Sequence, residues 1–336
     1  MSPTRAADLH RRLGATLRAT LDALVPAAAP ALLVGSGITN VGDATIALAT
    51  RRWLASRATP VLEMDRRTYD ARAAARFLGA DGTVLLAGGG TIGDVWPSQA
   101  ALRRRVLADL PSHRAVQLPQ TVHFSTPEAM DAVRGAYAAH RRLTLLLRDA
   151  ESVELVRARW GLDATLAPDM AFLLGDLPAP PPTRDVVWLL RTDQESTRVT
   201  PERTLGPSPE PTAVDWPAPR AIRRRRLRRL TAKSLALLGG AAPRRRAAIA
   251  RWDAQEVADR FEVGCALLAS ARVVVSDRLH GSLLAMLLGR PVVVLPDRHG
   301  KLRSFHRAWT DGCADVTWCD TVAEARAAVA AHLAAR

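Results

Sequence analysis

Arginines, histidines and glycines stand in this chain where apolar strand-like runs give way to helical patterns, and these are the residues suited to chemistry. Asp277-Arg278-Leu279-His280-Gly281 follows the run 271–277, and Asp297-Arg298-His299-Gly300-Lys301 follows the run 291–297. Arg148 and Asp149 close the run 143–149, and the segment 114–120 leads to Gln120, Thr121 and His123. Two glycine-rich stretches complete the set, one holding Gly37, Asn40, Gly42 and Asp43, the other Gly88, Gly89, Gly90, Gly93 and Asp94. Glycine lets backbone approach a ligand closely, and helix N-termini offer unpaired N–H groups with a positive dipole end. Arginine, histidine and lysine converging on one such edge form an anion pocket, and the guanidinium fork fits carboxylate or phosphate. A histidine that titrates near neutrality adds a proton to give or take.

Each residue also has a plainer structural role open to it. Arg148 could pair with its neighbour Asp149, and Arg278 and His280 could cap a helix expected to start near Ser282. Lys301 could be a solvated loop lysine; Gly35, Gly37 and Gly42 could serve a tight turn, with Asp43 capping the helix beyond it. Asp94 and Asp169 could be acid–base groups or simple acceptors for backbone N–H. His299 and His306 read as surface residues, Trp160, Trp188 and Trp252 as packing residues, and Trp309 as either packing or site.

The elements that must position these groups alternate. In the first half the runs 31–35, 61–65, 83–90, 114–120 and 143–149 read as strands, most of them followed by a helical pattern such as 45–57. Short apolar runs alternating with helices predict a parallel sheet covered on both faces. The proline-rich stretch 177–185 breaks the pattern, and strands resume at 186–193, 271–277 and 291–297, with a terminal helix at the end. The expectation is α/β: a Rossmann-like domain over 1–178, a linker over 179–185, and a second Rossmann-like domain over 186–336. Ligands in such sheets sit at the carboxyl ends of the strands, in a cleft between the two domains here. The stretch 194–220 reads as an exposed loop, followed by a basic helix around Arg223–Arg229.

Composition narrows the function classes. At 336 residues the chain exceeds the comfortable range of one core, and a hydrophobic fraction of 48% is that of a globular protein. No apolar run is long enough to cross a membrane, and Arg, Asp and His interrupt the N-terminal segment, so neither a span nor a secretory signal is expected. Three scattered cysteines give no disulfide framework or zinc site, and no metal is expected. The cytoplasm is the expected location, with the basic helix offering contact to an anionic membrane face. The net charge of +14 comes almost wholly from arginine in an alanine-rich chain, with no aromatic interleaving or finger spacing, so nucleic acid is not expected as a partner. Oligomeric state is not legible.

These residues also carry a family resemblance. The segments 276–309 (SDRLHGSLLAMLLGRPVVVLPDRHGKLRSFHRAW), 88–111 with 116–125, 148–152 with 167–172, and GITNVGDATI at 37–46 resemble the polysaccharide pyruvyltransferase family. The resemblance implies a glycosyltransferase-B-like fold and no cofactor. It further implies phosphoenolpyruvate as co-substrate, release of phosphate, and a cyclic pyruvate ketal on a sugar acceptor, free or lipid-linked. Arg148, Arg278, His280 and Lys301 match the family's donor-binding positions, with His123 a further candidate and His280 the candidate proton donor. A nucleotide-sugar glycosyltransferase or epimerase of the same architecture is the alternative, and a non-catalytic carbohydrate-binding relative a third. Phosphoenolpyruvate combines phosphate and carboxylate on three carbons, which suits a pocket of several cations.

Overall fold

The computed structural model describes residues 4–35, 37–193, 196–197, 213–217 and 242–335; the basic run Arg223–Arg229 and most of the stretch expected as an exposed loop lie outside the described residues. The first half runs α1 (Ala6–Leu24), β1 (Ala31–Val34), α2 (Val41–Ser56), β2 (Val61–Met64), α3 (Ala71–Leu78), β3 (Thr83–Leu86) and β4 (Gly89–Gly93). It continues α4 (Pro97–Asp109), β5 (Arg114–His123), α5 (Pro127–Ala139), β6 (Leu143–Leu147), α6 (Ala150–Trp160), β7 (Thr165–Leu166) and a 3-10 turn at Met170–Leu174. Then follow β8 (Arg184–Leu189), α7 (Ala242–Ala269), β9 (Ala271–Ser276), α8 (Leu279–Leu287), β10 (Val292–Val294), α9 (Lys301–Trp309), β11 (Val316–Trp318) and α10 (Val322–Ala334).

The strands form two sheets, both parallel throughout. One has the order β2-β1-β3-β5-β6-β7 with β4 paired to β5, and the other the order β11-β10-β9-β8. The α/β class predicted from alternating apolar runs is therefore observed. All four residues of β1 and of β3 are buried, as expected of strands covered by helices on both faces. No helix among the described residues is long and apolar enough to cross a membrane.

Three local expectations need correction. The glycine cluster 88–93 is not a loop throughout, because Gly89–Gly93 forms β4 alongside the end of β5. Gly93 permits this approach: a Cβ there would lie 1.9 Å from the His123 carbonyl oxygen. The helix expected near Ser282 starts at Leu279, so Arg278 is its N-cap and His280 lies in its first turn. Strand β5 runs to His123 rather than stopping at Gln120, because the second glycine stretch supplies a partner for its last residues.

Helix α1 touches the cores of both sheets. Ala6, Leu9 and Leu13 pack in one cluster with Leu189, Leu284 and Val292, while Leu17 and Leu21 pack with Leu33, Val116 and Leu146. The three-to-four-residue spacing makes one apolar stripe, which is divided between the two clusters. A ring contact links the halves again, with Phe172 stacked on Phe305 at 6.4 Å between centroids.

Candidate functional site

The site is built from strand ends. Arg148 follows β6, His280 and Arg278 follow β9, and α2 starts just beyond the turn after β1. Together with Gly37, Asn40, Gly42, Asp43, Gly89, Gly90, Asp297 and Lys301, these residues line a cleft of about 540 Å³ with walls from both sheets.

A buried carboxylate ties the two sides together. Asp169 is fully buried at the N-cap of the 3-10 turn, where its Oδ1 accepts from Ala171 N at 2.9 Å. Its Oδ2 accepts from Arg148 Nη1 at 2.6 Å, and its Oδ1 lies 3.5 Å from His280 Nε2. Burial alone would push the Asp169 carboxyl up. The charge and proximity of His280 and the charge of Arg148 instead hold it well below the usual carboxylate range. Arg148 therefore pairs with Asp169 and not with its neighbour Asp149, whose Oδ1 caps α6 by accepting from Ser152 N. The Arg148 Nε donates to Thr121 Oγ1 at 2.9 Å, and its Nη2 points at Gly90, where a Cβ would approach to 3.0 Å. His280 Nε2 is buried and makes no hydrogen bond among the described residues, the separation from Asp169 being too long. Its Nδ1 edge faces α2, since a Cβ on Gly42 would lie 2.8 Å from it.

Arg278 is held differently from the simple anion clamp expected. Its Nε and Nη2 donate to Asp215 Oδ1 and Oδ2 at 2.6 and 2.7 Å, and Nη2 also reaches Asp193 Oδ2 at 3.1 Å. The side-on edge that would grip a ligand carboxylate is thus occupied within the protein, and Nη1 has no partner among the described residues. Burial of Asp215 would raise its carboxyl, but the hydrogen bond and charge of Arg278 hold it below the usual range.

The glycine-rich turns are fixed from behind. Asn40 and Asp43 form a reciprocal capping box at the start of α2, each side chain accepting from the other's backbone N–H at 3.1 Å. Around the second stretch, Gln120 accepts from Thr91 N at 2.8 Å and donates to Ala87 O at 3.0 Å. Buried Arg103 donates to Thr91 O at 3.1 Å and to Thr91 Oγ1 at 2.6 Å. A guanidinium and an amide holding β4 leave it little freedom to rearrange when a ligand arrives.

The remaining predicted residues divide. Lys301 lines the cleft at the N-terminus of α9, where Asp297 Oδ1 accepts from Leu302 N at 3.0 Å. His123 ends β5, and its ring meets that of His299 at 4.2 Å between centroids; neither lines the cleft with Arg148 and His280. Asp94 Oδ2 accepts from Ser125 N at 2.9 Å, and Asp94, Gly88 and Gly93 also lie off the cleft wall. Trp309 reaches the site as an anchor, its Nε1 donating to the Arg148 carbonyl at 2.8 Å. Sequence reasoning named Asp169 without ranking it, and missed Asp193, Asp215 and Arg103, which have no distinctive spacing. The thiols suggest no nucleophile, since burial pushes Cys265 up to about 12.

Two parallel sheets covered by helices, with arginines, a histidine and a lysine along one cleft, make this an α/β protein of Rossmann-like type. The chain belongs to the polysaccharide pyruvyl transferase family, whose profile matches residues 40–299. It is 30% identical over 239 residues to Pyruvyl transferase 1 of Schizosaccharomyces pombe, covering 67% of this chain and 54% of that protein, so the match spans about half the relative's length. General stress protein 30 of Bacillus subtilis is 23% identical over 294 residues, covering 84% of this chain and 78% of that protein. Among solved structures, a functionally uncharacterised protein of Klebsiella pneumoniae superposes with a TM-score of 0.59 at 14% identity, covering 92% of this chain and 99% of that one. That likeness speaks for the fold alone.

Proposed function

We propose that this protein transfers the pyruvyl group of phosphoenolpyruvate to a sugar of a polysaccharide or its lipid-linked precursor, forming a cyclic ketal and releasing phosphate. One observation carries the reading: Arg148 and His280, from different sheets, meet at the buried carboxylate Asp169 beside Arg278. In this reading residues 1–178 and 186–336 are two Rossmann-like domains joined by 179–185, with α1 bracing both and the cleft between them.

Cations would hold the donor's phosphate and carboxylate, with Arg148 Nη2, Arg278 Nη1 and Lys301 as the donating groups. His280 gives a proton to the methylene carbon of the enol, and a sugar hydroxyl adds to the neighbouring carbon as that carbon becomes electrophilic, giving up its own proton to the deprotonated His280. The C–O bond to phosphate breaks with its electron pair leaving on phosphate. A second hydroxyl then bonds the same carbon and releases its proton, so one donor and one diol yield one ketal and one phosphate. Charges set in place before reaction are worth more than charges that must reorganise, which suits a strand β4 fixed by Arg103 and Gln120. The acceptor would lie against Trp96, which is 38% exposed and shares the cleft wall with Thr91 and Gln99. An aromatic face among polar groups fits a sugar ring.

The test is phosphate release from phosphoenolpyruvate on incubation with a panel of nitrophenyl hexosides and lipid-linked sugars. Phosphoenolpyruvate should also protect the fold against heat, by about 2.7 kcal/mol at a hundredfold excess over its dissociation constant. Protection by UDP-sugars with none from phosphoenolpyruvate would overturn the reading.

A further inference from the structure

Asp215 lies between β8 and α7, in a part of the chain to which no sequence motif assigned a role, yet both oxygens of its carboxylate are bonded within the protein. It accepts from Arg278 Nε at 2.6 Å and Nη2 at 2.7 Å, from Thr192 N and Oγ1 at 2.9 Å each, and from Trp216 N at 2.6 Å. The adjoining backbone is tied to β8, since Leu190 N donates to Val214 O at 2.8 Å and Val214 N to Trp188 O at 2.9 Å. A carboxylate anchored this way is a fixed part of the wall, unlike one that a ligand displaces on binding.

We infer that Asp215 is a positioning residue for the anion site: it holds the Nε–Nη2 edge of Arg278 and turns Nη1 toward the cleft. Arg278 then meets a bound anion end-on through one nitrogen, in place of the side-on grip that an unrestrained guanidinium prefers. An asparagine cannot replace Asp215. Five donors converge on its two oxygens, and an amide NH2 facing any of them sets donor against donor. The inference takes the anion's identity from the donor reading above, while the geometry stands independently of it.

The experiment is calorimetric binding of phosphoenolpyruvate to wild type, Asp215→Asn, Arg278→Lys and the double variant. Asp215→Asn should weaken binding at least tenfold. In the Arg278→Lys background the same change should cost less than threefold, because lysine has no fork to orient. Thr192→Val, a gentler change that removes one of the five bonds, should weaken binding about threefold in the same direction if Asp215→Asn fails to fold. Unchanged or tighter binding by these variants would overturn the inference, and tighter binding would make Asp215 an occupant that the ligand displaces. Equal losses in both Arg278 backgrounds would overturn it too, by showing a general structural role. If wild type gives no heat with phosphoenolpyruvate, the donor reading has failed. Inorganic phosphate, followed by thermal shift on the same variants, then tests the positioning separately, and equal protection of wild type and Asp215→Asn would sink it.

Discussion

Asp169→Asn should be among the costly single substitutions in this protein, although it changes neither the size nor the shape of the side chain. Asp169 and Arg148 form an ion pair at 2.6 Å with side chains 0% and 5% exposed. Asparagine can still accept from Ala171 N, but its amide then faces Arg148 Nη1 with a second donor. Arg148 is left charged and buried, with Thr121 Oγ1 at 2.9 Å as its remaining side-chain acceptor. Stranding one partner of a buried pair costs about 3–5 kcal/mol, a large share of the roughly 5–15 kcal/mol that holds a typical fold together. In urea the unfolding midpoint should fall by about 1 M or more, for a slope of roughly 3 kcal/mol per molar. Adding Arg148→Met to Asp169→Asn should recover part of the loss, because no buried charge is then unpaired. The pH dependence gives an independent check. The Asp169 carboxyl titrates below its unfolded value, so its stabilisation is present above about pH 4 and is lost as pH falls further. Wild type should lose more stability through that acid range than Asp169→Asn, which keeps the losses shared by other carboxylates such as Asp215, and the two should converge. A loss below about 1 kcal/mol at pH 7, or a double variant no better than the single, would refute this account of the pair.

Other predictions address the site. Arg278→Ala should weaken phosphoenolpyruvate binding severely, and Arg278→Lys should restore it only in part, by calorimetry. His280→Asn should bind the donor within about tenfold of wild type while steady-state turnover drops by roughly a hundredfold; near-normal turnover would make His280 a ligand or helix residue only. Gly90→Ala should weaken donor binding by calorimetry, since its Cβ would lie 3.0 Å from Arg148 Nη2 and press on a guanidinium that Asp169 and Thr121 hold in place. Gly93→Ala should lower the melting temperature markedly, since its Cβ would strike backbone at 1.9 Å.

The chain alone determined most of the alternating strands and helices and which of them end in chemistry, though not α1, β4 or β7. Apolar runs at 31–35, 83–90, 143–149 and 271–277 announce buried strands, and their carboxyl ends deliver Arg148, Arg278 and His280. Asp43 was legible as a capping residue because capping is a local interaction over three residues, but the helix starts at Val41, four residues before the pattern read at 45–57, with Asn40 as its N-cap. Only the tertiary structure decided who holds whom. Arg148 finds Asp169 across 21 positions and not Asp149 beside it; Arg278 finds Asp215 across 63; His123 meets His299, and α1 divides its apolar stripe between two cores. These partners carry no periodicity, because their proximity follows from the register and curvature of two sheets and not from the residues between them. For the same reason the sequence placed His123, Asp94 and Gly93 with the cleft residues, while the structure sets them off its wall at the end of β5. A motif shows which side chains lie at a strand's end, whereas the direction each one faces is set by packing against elements far away in the chain.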